Sequence, residues 1–262
     1  MDIDTFYTDH WKQIEDVRVE RYEQMFQWRD THAALLAPAD ILPGHTVLDF
    51  GCGPGFMSLA LADMVGESGH VHGADINARF VADSTKRAAG RANVEFHHLT
   101  GAGVPLPDAH VDRVLCKNVL EYVPNAAATL KELYRVVVPG GKIHATDSDW
   151  GFVLVEPWGK EGTERFFTAA APAFKEPFIG RKLLGLLRGA GCDEVSVRMA
   201  AFADQGASGF PSVLTNMRSY IAAFDTMPAD EADAMITEVE RAIEAGTYLF
   251  CLPQFLVTGT KP

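Results

Sequence analysis

The chain has 262 residues, of which 47% are hydrophobic and 22% are charged, and its formal net charge is −12. This composition is ordinary for a globular protein with a well-formed core, and no stretch approaches the roughly 18 apolar residues that a membrane span needs. The acidic balance disfavours a nucleic-acid partner, because a surface that binds phosphates must be basic. The four cysteines lie far apart and form no C-x-x-C pair, which predicts reduced thiols in a cytoplasmic protein.

The hydrophobic pattern changes from helical to alternating after the first forty residues. Residues 5–37 read as helical and are rich in aromatic side chains, and Pro38 and Pro43-Gly44 then break the chain. The predicted strands that follow are Thr46–Phe50, Val71–Asp75, Val94–His98, Asp112–Lys117 and Lys142–Thr146. Helices are predicted between them over about 55–65, 77–90 and 125–137. This alternation predicts an α/β fold with a mainly parallel sheet and right-handed crossovers.

The pattern after residue 150 is more mixed. It predicts helices near 160–172 and 179–190, a strand at 193–200, a helical insert over 211–246 and a last strand near 249–259.

The segment Val47–Gly55, with the sequence VLDFGCGPG, is the most informative motif. An apolar strand, a glycine-rich loop and a helix in succession form the unit at which nucleotide-like cofactors bind in open α/β sheets. Dinucleotide-binding folds carry a third glycine where this chain has Phe56, so that a pyrophosphate can approach the helix. The bulky side chain favours a nucleoside without a phosphate there. An NAD-type oxidoreductase remains the alternative.

Five segments in register resemble one known family, the class I S-adenosylmethionine-dependent methyltransferases, in the subgroup of ubiquinone-biosynthesis and other small-molecule enzymes. They are Val47–Gly55, His72–Asn77, Val104–Asp112, Val114–Pro124 and Leu130–Lys142. The resemblance covers roughly residues 45–150. It implies a doubly wound, mainly parallel seven-stranded sheet with an antiparallel last strand, a helical cap from the N-terminus and a late insertion. We therefore expect one methyltransferase domain over 1–262, with a helical lid at 1–40, a cofactor-binding core at 41–150 and substrate-side helices and the last two strands at 151–262.

The resemblance implies a role for each motif residue of the cofactor-binding core. Asp49 would hold the methionyl ammonium, directly or through water. Gly51, Gly53 and Gly55 would let the backbone approach the methionine and ribose portions of the cofactor. Asp75, at the end of the second strand, would accept both ribose hydroxyls, although a helix N-cap is the other interpretation of this residue.

Further cofactor contacts are implied around the adenine and the sulfur. Ile76 would pack on the adenine. Thr100, followed by Gly101, stands where the family usually carries an acid that accepts from the adenine amino group, and a neutral hydroxyl makes a weaker hydrogen bond, by about 1 kcal/mol. Asn118 would lie beneath the sulfonium, and an N-terminal lid would bring two aromatic side chains, Tyr7 and Trp11, over the cofactor.

The catalytic residues are expected at the carboxyl ends of the fourth and fifth strands, where ligands of open α/β sheets sit. Tyr122, Asp147 and Trp150 are the candidates. The segment Thr146–Trp150 is either a substrate clamp, with carboxylates and an indole for a cationic or hydroxylated acceptor, or a loop that caps the next helix. Methyl transfer needs a general base only when the acceptor is protonated, and the candidates are Asp147, Tyr122, Glu121 and His144.

No metal site is predicted. His70, His72, His97 and His98 lie on predicted strands but lack a third ligand at a useful spacing in the sequence. The expected protein is a cytoplasmic monomer or homodimer that converts S-adenosylmethionine to S-adenosylhomocysteine by methylating an O, N or C atom of a small molecule, with no membrane or nucleic-acid partner. A non-catalytic relative that only binds the cofactor is a further alternative.

Overall fold

A computed structural model describes residues 4–12, 14–29, 31–101, 103–205 and 210–262. The strands are β1 (Thr46–Phe50), β2 (His70–Asp75), β3 (Val94–His98), β4 (Val111–Lys117), β5 (Val137–Ser148), β6 (Leu154–Glu156), β7 (Asp193–Ala200), β8 (Ala203–Asp204), β9 (Leu249–Cys251) and β10 (Gln254–Thr260). The helices are α1 (Phe6–Lys12), α2 (Asp16–Met25), α3 (Thr31–Leu36), α4 (Phe56–Val65), α5 (Ala78–Arg87), α6 (Ala126–Val136), α7 (Gly159–Ala170), α8 (Ile179–Ala190), α9 (Phe210–Phe224) and α10 (Ala229–Ala245).

Seven strands form one sheet in the order β3-β2-β1-β4-β5-β10-β7. The first five strands in this order pair in parallel, whereas β10 runs antiparallel to both β5 and β7. The central strands are apolar on both faces because helices cover both sides; Val47, Leu48 and Val114 are fully buried. The predicted fold class, with its antiparallel last strand, is confirmed.

Local sequence signals explain where the helices next to the sheet begin and end. The Asn77 side chain accepts hydrogen bonds from the Arg79 and Phe80 N–H groups at the start of α5, and Asn125 accepts from the Ala128 N–H at the start of α6. These caps fix the turns that follow β2 and β4, which are the turns that border the candidate site.

The structure differs from the predicted elements at both ends of the chain. The helical N-terminal segment consists of the three helices α1, α2 and α3, and the predicted last strand is two strands, β9 and β10. The break between them contains Pro253, which lacks the N–H that a continuous ladder requires. β9 pairs instead with β6 and β8 in a small second sheet.

A second hydrophobic core lies between the small sheet and α7, α9 and α10, separate from the cores around the main sheet. Across the described residues, none of the helices has the length and apolar character that crossing a bilayer requires.

Candidate active site

A cavity of about 840 Å³ lies at the carboxyl ends of β1, β2 and β4, beneath the N-terminal helices. Its position follows the rule that open α/β sheets bind ligands at this edge. The lining residues run from Thr8 to Thr129. The described residues of 151–262 do not line this cavity, and the expectation that they form a substrate-side wall remains a prediction. That segment supports the lid from behind instead, through contacts such as the edge-to-face pair of Phe6 and Tyr220.

The glycine-rich loop after β1 forms the floor of the cavity. Gly51, Gly53 and Gly55 all have positive φ angles, of 75°, 53° and 79°. A Cβ on Gly51 would lie 2.2 Å from Val119 Cγ2 and one on Gly55 would lie 2.5 Å from Ser84 Oγ, whereas one on Gly53 would meet no atom within 4 Å. The first and third glycines are thus required by packing as well as by conformation. The second opens the loop backbone to the cavity; Gly55 itself does not line it.

Asp75 lies at the end of β2 and on the cavity wall, as predicted. Its Oδ2 accepts the Gly53 N–H at 2.8 Å and its Oδ1 accepts the Asn77 N–H at 2.8 Å. Burial raises the pKa of this carboxyl, and the two backbone donors act in the opposite direction. Asn77, rather than Asp75, caps α5, so the carboxylate keeps free acceptor capacity at the cavity.

Asp49 is fully buried at the end of β1 and is not part of the cavity wall. Its Oδ2 accepts a hydrogen bond from Ser58 Oγ at 2.6 Å, while its Oδ1 is buried without a partner. Burial raises the pKa of this carboxyl to about 7, against the lowering effect of Ser58. The geometry is compatible with an indirect contact to a ligand, because the cavity floor separates the two.

Two further polar atoms are buried without a hydrogen-bond partner, and both belong to residues that line the cavity. They are the Nε1–H donor of Trp11 and the Oδ1 acceptor of Asn118. Asn118 has a φ of 54°, a left-handed conformation that asparagine tolerates better than most residues. Because a buried polar group without a partner costs about 1–3 kcal/mol, these two cavity-lining residues each carry a polar atom that a new hydrogen-bond partner would stabilise.

The residues expected to contact the adenine also lie on one wall of the cavity. Ile76, Thr100 and Gly101 all line the cavity, next to the buried Leu99. His98 holds this wall in place, since its Nε2 lies 3.1 Å from the carbonyl oxygen of Ile76.

The N-terminal helices cover the cavity. Asn77 Nδ2 donates to the carbonyl oxygen of Trp11 at 2.8 Å, and Thr8 Oγ1 donates to the carbonyl oxygen of Tyr122 at 2.6 Å. These bonds fasten α1 to the turns after β2 and β4. Trp11 lines the cavity, but Tyr7 does not: the Lys175 ammonium lies 5.0 Å from the centre of its ring. The prediction that Tyr7 contacts the cofactor remains a prediction.

Of the three predicted catalytic residues, only Tyr122 lines the cavity. Asp147 is fully buried and accepts the backbone N–H groups of Leu120 and Ser148 at 3.0 and 2.9 Å. Trp150 is 9% exposed, and its indole N–H donates to Glu121 Oε2 at 2.8 Å. The substrate clamp is thus corrected to a supporting layer, because strand β5 continues to Ser148 and carries these side chains behind the wall.

The other candidate bases are equally withdrawn from the cavity. Glu121 is 2% exposed, and His144 bonds to Thr258 Oγ1 and to the Leu35 carbonyl oxygen. Burial lowers the pKa of His144 to about 4, so it is a neutral structural group.

Sequence reasoning missed the lid residues and one cation. The apolar part of the wall consists of Met25, Phe26, Trp28, Leu35 and Leu36. Lys117, at the end of β4, also lines the cavity, and burial lowers the pKa of its ammonium against the influence of Asp147 and Asp49. A lysine that ends an otherwise apolar strand is the signal that could have identified it.

Comparisons with known proteins agree with this geometry. Residues 47–141 match a family model described as a methyltransferase domain. A demethylmenaquinone methyltransferase of Bacillus licheniformis is 33% identical over 122 residues, which cover 47% of this chain and 51% of that protein. The chain thus spans about half the length of the curated relatives it matches.

Solved structures share the fold at lower identity. A SAM-dependent methyltransferase from Aquifex aeolicus has a TM-score of 0.55 and 19% identity, and the match covers 93% of this chain and 99% of that one. Phosphoethanolamine N-methyltransferase 2 of Haemonchus contortus, in complex with S-adenosylhomocysteine, has a TM-score of 0.66 and 16% identity over 100% of this chain and 60% of that one. Residues 47–141 thus match a methyltransferase domain, and the whole chain shares the fold of solved S-adenosylmethionine-dependent methyltransferases.

Proposed function

We propose that the chain transfers the methyl group of S-adenosylmethionine to an O, N or C atom of a small-molecule acceptor. The observation that carries the proposal is the Asp75 carboxylate, held at the cavity by the N–H groups of Gly53 and Asn77 with acceptor capacity to spare. A carboxylate in this place suits the two hydroxyls of a ribose.

The unsatisfied atoms of the cavity suit the amino-acid part of the same cofactor. The Asn118 Oδ1 is a buried acceptor that an ammonium group would satisfy, and the Trp11 Nε1–H is a buried donor that a carboxylate would satisfy. Lys117 adds a positive charge on the same wall. The residues present therefore fit a zwitterionic amino acid joined to a nucleoside.

The same loop is a poor fit for a diphosphate. Phe56 starts α4 and lines the cavity, and the Arg87 guanidinium lies 4.7 Å from the centre of its ring. An aromatic side chain thus occupies the position at which dinucleotide folds need a glycine. This favours methyl transfer over the NAD-type alternative.

When bound, S-adenosylmethionine supplies an electrophilic methyl carbon on a sulfonium sulfur. The task of the chain is to hold the acceptor in line with that carbon and to exclude water, which can contribute about 7–11 kcal/mol. The lid helices α1, α2 and α3 cover the cavity for this purpose. Burial holds the pKa of Tyr122 well above its usual range, so its hydroxyl remains protonated, and it donates a hydrogen bond to the Glu121 carboxylate.

A protonated acceptor would also need a base. His32 lines the cavity, and burial lowers the pKa of its imidazole, with Lys117 acting in the same direction. It is therefore neutral at physiological pH, although its Nδ1 already accepts the Arg29 N–H; His98 is a second imidazole on the cavity wall, and both are candidates for this role.

The apolar and aromatic lid favours an acceptor with a flat, apolar body. Met25, Phe26 and Trp28 come from α2 and the turn after it, and methionine and aromatic side chains adapt to such ligands. Several curated relatives are named demethylmenaquinone methyltransferases, and the acceptor in that name is a quinone-derived ring compound, which is of this chemical kind.

Calorimetry with S-adenosylhomocysteine tests the proposal. Asp75→Ala removes the hydrogen bonds to two ribose hydroxyls, each worth about 1.5–3 kcal/mol to a charged group, so the affinity should fall at least 100-fold. Asp63→Ala is the matched control, because Asp63 is exposed on α4 and pairs only with Arg91 at the surface. Unchanged affinity in folded Asp75→Ala, checked by circular dichroism, would remove this residue from the cofactor site.

A further inference from the structure

The edge of the main sheet formed by β3 and its neighbour β2 carries a concentration of histidines. In the parallel pairing of β2 and β3, His72 stands opposite Glu95, and His70 and His97 are each two residues away along their strands. Side chains two residues apart on a strand share a face, so all four lie on one face of this strand pair. We call them the histidine–glutamate cluster.

This face is the one opposite to α4. Gly73 directly follows His72 on β2. It faces α4, since a Cβ there would lie 3.1 Å from Ser58 Oγ. His72 must therefore point the other way, and its side chain is 6% exposed. His70 and His97 are partly exposed at the rim, at 33% and 21%. The cluster is thus a half-buried site that an ion can reach from solvent.

The donor atoms of His70, His72 and Glu95 all lie within 4.8 Å of one another, and His97 borders this group. His72 Nδ1 lies 2.8 Å from Glu95 Oε1 and 3.2 Å from His97 Nε2. Glu95 Oε1 lies 3.6 Å from both His70 Nε2 and His97 Nε2. Ligands at the usual 2.0–2.1 Å from a tetrahedral zinc ion are separated by about 3.3 Å from one another. The four measured separations lie on either side of that value.

An independent observation also indicates a missing partner. His70 Nε2 is buried and has no hydrogen-bond partner, although it faces the carboxylate of Glu95. A divalent cation would accept lone pairs of the imidazole nitrogens and of the carboxylate at once, whereas hydrogen bonds within the cluster leave His70 unsatisfied.

We propose that the histidine–glutamate cluster binds one divalent transition-metal ion. The two imidazole nitrogens of His70 and His72 and one carboxylate oxygen of Glu95, with His97 beside them, are donors typical of Zn²⁺ and unsuited to Mg²⁺ or Ca²⁺, which require oxygen ligands. The ion would join the edge strand β3 to β2. Because it binds the folded protein and not the unfolded chain, it would stabilise the fold. The site does not depend on the proposed methyl transfer.

Metal titration of the full chain tests this site without any assay of activity. After chelator treatment and dialysis, calorimetry with Zn²⁺ alone should give one ion per chain, and Zn²⁺ should raise the thermal unfolding midpoint where Mg²⁺ does not. His70→Ala removes one ligand at the partly exposed rim, where folding should survive, and should weaken Zn²⁺ binding at least tenfold. His97→Ala removes the imidazole next to His72 and Glu95 and should weaken the binding as well. His45→Ala is the control, since that ring accepts the Leu42 N–H and lies outside the cluster.

Cobalt provides a second measurement that distinguishes this site from a stray cysteine or histidine. Co²⁺ bound in the cluster should give the intense visible absorption of tetrahedral coordination, and this absorption should be lost in the double variant His70→Ala, His97→Ala. An absence of saturable Zn²⁺ binding would overturn the proposal. So would stoichiometric binding that is as tight in the double variant as in the wild type.

Discussion

Asp49 makes a sharp test of the cofactor site, because its protonation should depend on the ligand. Burial raises the pKa of this carboxyl to about 7, whereas a neighbouring ammonium favours the ionised form. Binding of S-adenosylhomocysteine, whose amino-acid end carries an ammonium, should therefore expel a proton. At pH 7 the carboxyl is about half protonated, so about half a proton per chain is released, and affinity should rise between pH 6 and pH 8.

The same pKa has a consequence for stability, with a definite sign. The pKa is raised in the folded state, so the contribution of Asp49 to stability is fully present below pH 3.8 and is lost as the pH rises through about 7. The difference between these pKa values corresponds to on the order of 4 kcal/mol, as an upper bound. Asp49→Asn should therefore gain stability relative to the wild type between pH 4 and pH 8. Asp147, whose pKa is also raised to about 7, is present in both proteins and cancels.

Calorimetry in two buffers of different ionisation enthalpy measures the proton release, and urea unfolding at several pH values measures the stability. Asp49→Asn keeps an acceptor for the Ser58 hydroxyl, so it is close to isosteric. The reasoning would be refuted by equal proton release in the wild type and in Asp49→Asn, since the proton would then come from elsewhere.

Three substitutions test other parts of the account. Gly51→Ala should destabilise the fold by about 1–3 kcal/mol more than a glycine-to-alanine change at an open turn, because its Cβ would lie 2.2 Å from Val119 Cγ2; urea unfolding measures the difference. Trp11→Phe removes the unpartnered indole N–H and should weaken S-adenosylhomocysteine binding by about 1–2 kcal/mol in calorimetry, with little change in stability. Trp150→Phe removes one of the two side-chain donors of the buried Glu121, the other being Tyr122. It should lower the free energy of unfolding by about 1–3 kcal/mol without raising the KM for the acceptor selectively.

Gly90→Ala is the matched control for the loop glycine, because Gly90 also has a positive φ, of 87°, but an added Cβ would meet no atom within 4 Å. Equal losses in the two variants would show that backbone conformation alone, and not the contact with Val119, sets the requirement. For the indoles, a selective loss of acceptor affinity in Trp150→Phe would restore its original assignment as a substrate clamp.

The sheet was predictable because each core strand is followed in the sequence by its own turn residues. β1 and β3 match the predicted ranges in full, since an apolar run is followed directly by a glycine-rich or polar turn. The break at Pro253 and the small second sheet were not predictable, because short strands such as β6 and β8 have no periodicity of their own and exist through pairing with β9.

The site was predictable only where its residues lie close together in the sequence. Asp75 and Gly53 are brought together by one strand–loop unit, and both were identified from it. Asp147 and Trp150 were misassigned because sequence shows that a polar group follows a strand but not how far the strand continues. The histidine–glutamate cluster was missed for a related reason: Glu95 joins two histidines of another strand, which only the register reveals.

A crystal structure of the chain with S-adenosylhomocysteine tests the central claim most directly. The account predicts the ribose hydroxyls on the carboxylate of Asp75, the adenine beside Ile76 and Thr100, and the amino-acid end at Trp11 and Asn118. A nucleoside bound elsewhere, or a ribose that does not touch Asp75, would contradict it.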